Sequence, residues 1–325
     1  MKNRARIISF LAIAFGSTWT ISAAGAYAGV RATSGIAYMV LAASCMLMPA
    51  IAAIVQQRLI DRAPWSALGL SPRGVNWRSM AFTALAGVAI IPSMLAACFF
   101  LGDVVGLEAF GHVSVSAERM RVSLLEMIQA SGQTGMADTV LDRVAGIPAI
   151  AVLVGGLLAA MFAACTVNLP FMLGEELGWR GYLYQVTASW SALKRVLFTG
   201  VIWGLWHAPL ILMGHNYPDH PLTGVPMMVV FCTLLAFLFD WSRTRVRAVW
   251  GPCLLHGIIN GSAGLFALFA WGGHPLVASP VGLGGFIALT FLVVTILLFD
   301  RAYRASLLPR SRKPLNSPEN DAPQP

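Results

Sequence analysis

Charge is what this sequence has least of. Lys, Arg, Asp and Glu make up 11% of its 325 residues, where a soluble domain carries about 25%. That deficit excludes an ordinary soluble fold, and a mean hydropathy of +0.72 points the same way. Familiar intramembrane chemistries are also missing. No His-Glu-x-x-His helix offers a metalloprotease pair, and no Gly-x-Ser-Gly offers a serine nucleophile. Asp240 and Asp300 fall at the ends of apolar runs, so they do not form a mid-span aspartyl dyad. The five cysteines (Cys45, Cys98, Cys165, Cys232, Cys253) lie within apolar runs without metal-ligand spacing. They read as small packing residues and imply no disulfide framework.

What is present is a series of long uncharged runs: 7–30, 32–57, 79–102, 144–174, 196–218, 220–239 and 248–299. A helix needs about 20 apolar residues to cross the hydrocarbon core. The last run is broken by Gly272-Gly273-His274-Pro275 and reads as two spans. The expectation is an all-α polytopic membrane bundle of about eight transmembrane helices, near 7–29, 34–56, 80–102, 146–168, 196–213, 222–240, 248–270 and 278–299. Backbone groups in lipid must be satisfied internally, and a barrel would show short alternating strands instead. Residues 1–305 then form one membrane domain, and 306–325, rich in Pro, Ser, Arg and Asn, form a disordered cytoplasmic tail. Lys2, Arg4, Arg6 and Ala26-Tyr27-Ala28 imitate a signal peptide. The apolar run is long for a signal core, so the first span is expected to be retained.

The net charge of +8 invites a nucleic-acid reading, which its distribution rejects. With eight spans and the N-terminus inside, seventeen Lys and Arg fall on the inner side. They are Lys2, Arg4, Arg6, Arg58, Arg62, Arg73, Arg78, Lys194, Arg195, Arg243, Arg245, Arg247, Arg301, Arg304, Arg310, Arg312 and Lys313. The outer segments hold four: Arg31, Arg119, Arg121 and Arg143. This is positive-inside asymmetry, with both termini expected in the cytoplasm of a bacterial inner membrane. The longest outer segment, 103–145, contains a mixed apolar and charged stretch, 115–130, expected to lie along the surface as a helix.

Three polar clusters interrupt the apolar segments. Glu175, Glu176 and Arg180 follow the fourth run; His207 lies in the fifth span; His256 and Asn260 lie in the seventh. Ionisable groups in a bilayer are costly and are functional hypotheses by default. Glu176 and Arg180, four apart, are in ion-pair register. Glu175 points about 100° away, which frees it to face a cavity. A desolvated carboxylate there suits a general base. Pro170 frees a carbonyl and is expected to bend the fourth helix near Asn168. His256 and Asn260 share a helix face and can both donate to a developing oxyanion or hold a ligand. Counted along the helices, all three clusters are expected to meet in the half of the membrane nearer the termini, open to the cytoplasm. A lone intramembrane His is more often a helix-packing residue, and a Glu-Arg pair alone is often structural; a second, unpaired Glu at matching depth with both His clusters favours one joint site. The remaining histidines (His112, His215, His220, His274) fall in loops. His215, Asp219 and His220 read as a solvated outer loop, not a metal cluster.

The pattern Glu175-Glu176-x-x-x-Arg180, Trp203-x-x-x-His207 and His256-x-x-x-Asn260 resembles the three motifs of the CAAX protease and bacteriocin-processing family. These are intramembrane proteases related to type II CAAX prenyl endopeptidases. The resemblance covers about 145–265, which would be the catalytic core; elsewhere only the topology matches. One position departs, since the second motif usually begins with Phe where this chain has Trp203. The resemblance implies that Glu175 activates a water with help from His207. It implies that His256 and Asn260 stabilise the oxyanion, and that Glu176 and Arg180 hold the helix geometry. Family members are commonly labelled metalloproteases, and Glu175, His207 and His256 suffice as a zinc ligand set. A metal-free glutamate mechanism fits the same residues and is favoured by the Asn260 amide beside His256. The implied partner is a membrane-associated peptide or protein in the bilayer, with no nucleic acid. Two other readings stay open: a non-enzymatic bacteriocin-immunity or scaffold protein, and a proton-coupled transporter using Glu175.

Overall fold

The apolar runs become helices. The computed structural model describes residues 3–130, 135, 137–144 and 146–309. The first three long helices are α1 (Asn3–Tyr27), α2 (Ile36–Ile54) and α3 (Trp77–Cys98). Wider π-helical turns extend α2 over Val55–Ile60 and α3 over Phe99–Val104. Helices α4 (Ala117–Ala130) and α5 (Ala137–Val144) follow, so the expected surface stretch is helical. Next come α6 (Ala149–Cys165), α7 (Leu169–Glu176), a π-helical turn over Leu177–Leu183 and the single turn α8 (Tyr184–Val186). The remainder comprises α9 (Ala192–Trp206), α10 (Ala208–Leu212), α11 (Pro221–Val246), α12 (Trp250–Phe269), α13 (Leu283–Phe299) and α14 (Arg301–Ser306). The strand content among the described residues is one antiparallel pair, β1 (His112–Val113) with β2 (Ala270–Trp271).

This is an all-α polytopic bundle. Among the described residues, six helices are long and apolar enough to cross a membrane, and the bent pair α6 with α7–α8, counted as one span, makes a seventh. The eighth expected span is α13, apolar but only 17 residues long, about 26 Å at 1.5 Å per residue. The bend between α6 and α7 is 64°. It falls at 166–168, with Pro170 in the first turn of α7, where the sequence anticipated it. Of the expected tail, Ser306 closes α14, and 310–325 lie outside the described residues.

The connections sort onto two faces. On the terminal face, Arg6 pairs with Asp61 at 2.7 Å, Val249 N–H donates to Gly69 O, and Arg245 pairs with Asp300. On the opposite, loop face, Ala32 N–H donates to Met213 O, His274 N–H to Ala109 O, and Tyr217 OH to Val281 O at 2.8 Å. Capping agrees with the local sequence: Asn76 Oδ1 accepts from Ser79 N at the start of α3, and Ser191 Oγ accepts from Lys194 N at the start of α9. Helix α7 and the π-helical turn after it lie directly on α2 because each has a glycine at the contact. A Cβ at Gly174 would come within 2.6 Å of Met46 O, and one at Gly178 within 2.8 Å of Pro49 O. Small residues at such positions let membrane helices approach closely. That contact fixes the depth of the neighbouring acid pair.

Candidate active site

Glu175 and Glu176 end α7, and both are buried. Helical geometry sends them to different partners. Arg180 Nη1 donates to Glu176 Oε1 at 3.0 Å, the expected i,i+4 pair. Its guanidinium also lies over Trp203, 4.5 Å from the ring centroid, and over Phe239 at 4.4 Å. A cation between two aromatic faces is well held in a dry site. The π-helical turn that carries Arg180 widens the helix at this point, as such turns often do beside functional sites.

Glu176 Oε1 receives a second donor, His256 Nδ1, at 2.9 Å. Nδ1 therefore carries the proton, and Nε2 is left for other chemistry. His207, at the C-terminal end of α9, likewise donates from Nδ1 to Trp203 O at 2.8 Å. Glu175 is not without a partner, as the sequence had suggested. Trp203 Nε1 donates to its Oε2 at 2.8 Å. Trp203 thus holds one acid with its indole, one histidine with its carbonyl and the arginine with its ring face. In the sequence it stood out only as a departure from the usual Phe. The signal was available in the Phe-to-Trp departure, because indole adds a donor that phenyl lacks.

These groups line one cavity of about 360 Å³. Glu175, Trp203, His207, His256 and Asn260 face it together. Most of the remaining wall is apolar, with Met46, Ile90, Met94, Phe231 and Leu235 among it. Asn260 makes a weak contact from Nδ2 to Met172 Sδ at 3.7 Å, which leaves most of its amide capacity for a ligand. The structure therefore brings together every residue of the three motifs. Glu176 and Arg180 stand behind the cavity and the rest on its wall.

Two expectations are corrected. The cavity is not confined to the half of the bundle nearer the termini. It is lined by the early part of α2 (Ala42, Met46), the later part of α3 (Ile90, Ile91, Met94) and loop-face residues His215, Asn216, Pro280 and Val281. The reason is that His207 comes only after the 15 residues of α9, about 22 Å from its start. The second correction concerns His215. It is no solvated loop residue: the loop folds back so that His215 lines the cavity and its ring lies 5.9 Å from that of Tyr38. Burial there pushes its imidazole below the ordinary histidine value, so it is neutral at physiological pH.

The zinc set that Glu175, His207 and His256 would supply fits in donor chemistry, since both rings keep Nε2 free. It does not fit in arrangement. Among the described residues, no three His, Cys, Asp or Glu side chains are grouped so that they could hold a metal ion.

Residues 149–262 match the family model described as Type II CAAX prenyl endopeptidase Rce1-like. This segment runs from α6 into α12 and contains all three motifs. Over 44 residues the chain is 46% identical to "CAAX prenyl protease 2" of Methanococcus maripaludis. That stretch is 13% of this chain, and the chain spans 16% of the length of that curated relative. The resemblance read from the motifs thus holds over the segment that carries them. Together with the apolar helices, it makes this a multi-pass membrane protein.

Proposed function

We propose that this chain, Rce1-like through the helices that bear its motifs, is an intramembrane endopeptidase acting on a membrane-associated polypeptide. One observation carries the reading: Glu175, His207, His256 and Asn260 come from three separate helical segments and line the same cavity. A packing role for any one of them would not require the other three.

The chemistry follows from the free atoms. Glu175 Oε2 is held by the Trp203 indole, and Oε1 is available to take a proton from a water in the cavity. The oxygen of that water attacks the scissile carbonyl carbon, and the carbonyl π electrons move onto oxygen. Asn260 Nδ2–H donates to the resulting oxyanion. His256, held behind by Glu176 through Nδ1, serves as the second donor in this step, from Nε2 of its imidazolium form. His207, anchored through Nδ1, presents Nε2 as an acceptor that orients the water. The proton taken by Glu175 then passes to the leaving amine as the C–N bond breaks. No step is routed through a metal, because the arrangement does not gather a ligand set.

The charge asymmetry supports a topology with both termini in the cytoplasm of a cell membrane. The test is cleavage of a bilayer-anchored peptide by purified protein in proteoliposomes, with and without a prenylated C-terminal cysteine. Wild-type protein cleaves and Glu175→Gln does not. Equal cleavage by the two proteins, or none by either across apolar peptides, sinks the reading.

A further inference from the structure

We propose that Thr18 and Trp19 of α1 are positioning residues, which fix the ring of His207 by holding its neighbour Trp206 at two atoms. That this steers catalysis rests on the endopeptidase reading; that it fixes the His207 ring does not.

Helix α1 turns a narrow stripe inward. Phe10, Ala14, Thr18 and Ser22 are buried and fall four apart, on one helix face. Ser22 Oγ lies 3.5 Å from Cys45 Sγ, which ties the stripe to α2. Thr18 faces the end of α9. Its Oγ1 accepts from Trp206 Nε1 at 2.9 Å, and both side chains are buried. The next residue grips the same partner elsewhere: Trp19 Nε1 donates to Trp206 O at 3.4 Å. The indole and the backbone of Trp206 are therefore both held from α1.

Trp206 is where such a hold matters. It lines the cavity, closes α9 and directly precedes His207. The chain breaks here into α10, whose second residue is Pro209, and proline supplies no N–H to the turn before it. His207 has its Nδ1 on Trp203 O. One hydrogen bond leaves an imidazole free to tilt about that contact. The Trp206 ring stands edge-on to it, with centroids 4.7 Å apart and planes at 82°, and removes that freedom. Trp179 backs the Trp206 ring at 5.9 Å, and Phe10 of α1 backs Trp179 at 5.7 Å. Helix α1 thus reaches His207 through one aromatic row and two hydrogen bonds. It lies outside the segment 149–262 that the family model matches.

The test reads His207 directly. Protein in detergent is labelled with 15N in its tryptophan indoles and histidine imidazoles, and Trp206→Phe and His207→Gln assign the two signals by their loss. Thr18→Val keeps the shape and removes the acceptor, whereas Thr18→Ser keeps the hydroxyl. Thr18→Val is expected to shift both the Trp206 indole and the His207 imidazole signals. It is also expected to lower kcat about three- to tenfold, the worth of one hydrogen bond, at unchanged KM for the bilayer-anchored peptide of the activity test. Thr18→Ser should restore both readouts. Unmoved His207 signals, or an unchanged kcat, overturn the proposal, and so does a loss confined to thermal stability. Should Thr18→Val fold too poorly, Trp19→Phe removes the other contact at a partly exposed site, and the same readouts decide with the same signs. A wild type that cleaves nothing counts against the endopeptidase reading, and the His207 signals still decide the positioning.

Discussion

Two buried charge clusters meet α11 at neighbouring residues, one through Arg180 over the ring of Phe239 and the other through Asp240, and they are built to different ends. In the first, Arg195 on α9 donates to both oxygens of Asp240 on α11, at 2.5 and 2.9 Å, and Tyr303 OH donates to Oδ2 at 3.1 Å. Neither residue lines the cavity, and both carboxylate oxygens are occupied. In the second, Glu176 accepts from Arg180 and His256, while its neighbour Glu175 keeps one oxygen for the cavity. A buried charge is therefore not by itself a sign of function. The informative feature is a charged group whose hydrogen-bonding capacity is left over at a cavity wall.

The strongest way to break this contrast is to neutralise one acid from each cluster. Glu175→Gln keeps the shape and the Trp203 contact but removes the base. Cleavage should fall by about 10²–10⁴-fold, the range for a general base, with thermal stability in detergent unchanged. Asp240→Asn should do the opposite. It leaves Arg195 buried without a counter-ion, at a cost of about 3–5 kcal/mol, while the surviving folded protein keeps its specific activity. Matching losses of activity and stability in both variants would erase the distinction.

Next in size is the oxyanion donor. Removing one such donor typically costs about 10²–10³-fold in turnover, so Asn260→Ala should leave slow but measurable cleavage with KM little changed. A wild-type rate would remove Asn260 from the site. The same preparations decide the metal question. Chelation should leave wild-type activity intact; stoichiometric zinc with complete chelator inhibition would require Glu175, His207 and His256 to regroup around an ion.

Trp203→Phe sharpens the comparison within the site, because it restores the residue usual in the family's second motif. The ring over Arg180 remains and the donor to Glu175 is lost. A hydrogen bond to a charged group is worth about 1.5–3 kcal/mol. The expected outcome is a fall of about tenfold or more in kcat at constant KM. No change would mean that the indole bond does not position Glu175.

What the sequence made legible was local. The four-residue spacings predicted the Glu176–Arg180 pair and the shared cavity face of His256 and Asn260, because helix geometry decides both. Pro170 marked the bend. What it hid was tertiary. Glu176 meets His256 across 80 positions and Trp203 meets Glu175 across 28, and no spacing rule links different helices. How far the cavity reaches toward the loop face was misjudged for the same reason. Counting residues gives depth along each helix, but the bend at 166–168 and the length of α9 decide where the helices converge. The loop holding His215 looked solvated because loop composition does not reveal which side chains fold back inward.

The smallest predicted effect lies outside the membrane, at the end of the first cluster's side of the bundle. Asp300 follows α13 and caps α14, where its Oδ1 accepts from Tyr303 N at 2.9 Å. Partial burial pushes its carboxyl upward, but donors from Arg245, Tyr303 N–H and the Trp241 indole outweigh this and hold it below the usual carboxylate value. A depressed folded-state value adds stability that is fully present above the unfolded carboxylate pKa, about 3.9. That contribution is lost as pH falls through the folded value. The pair is partly exposed, so screening limits its worth to under about 1 kcal/mol. Detergent-solubilised protein should therefore lose a small part of its thermal stability below about pH 4. Asp300→Asn should lower stability slightly at neutral pH and flatten that acid limb, with cleavage untouched because Asp300 lies far from the cavity wall. An Asp300→Asn variant that kept the full acid limb would assign it to other carboxylates.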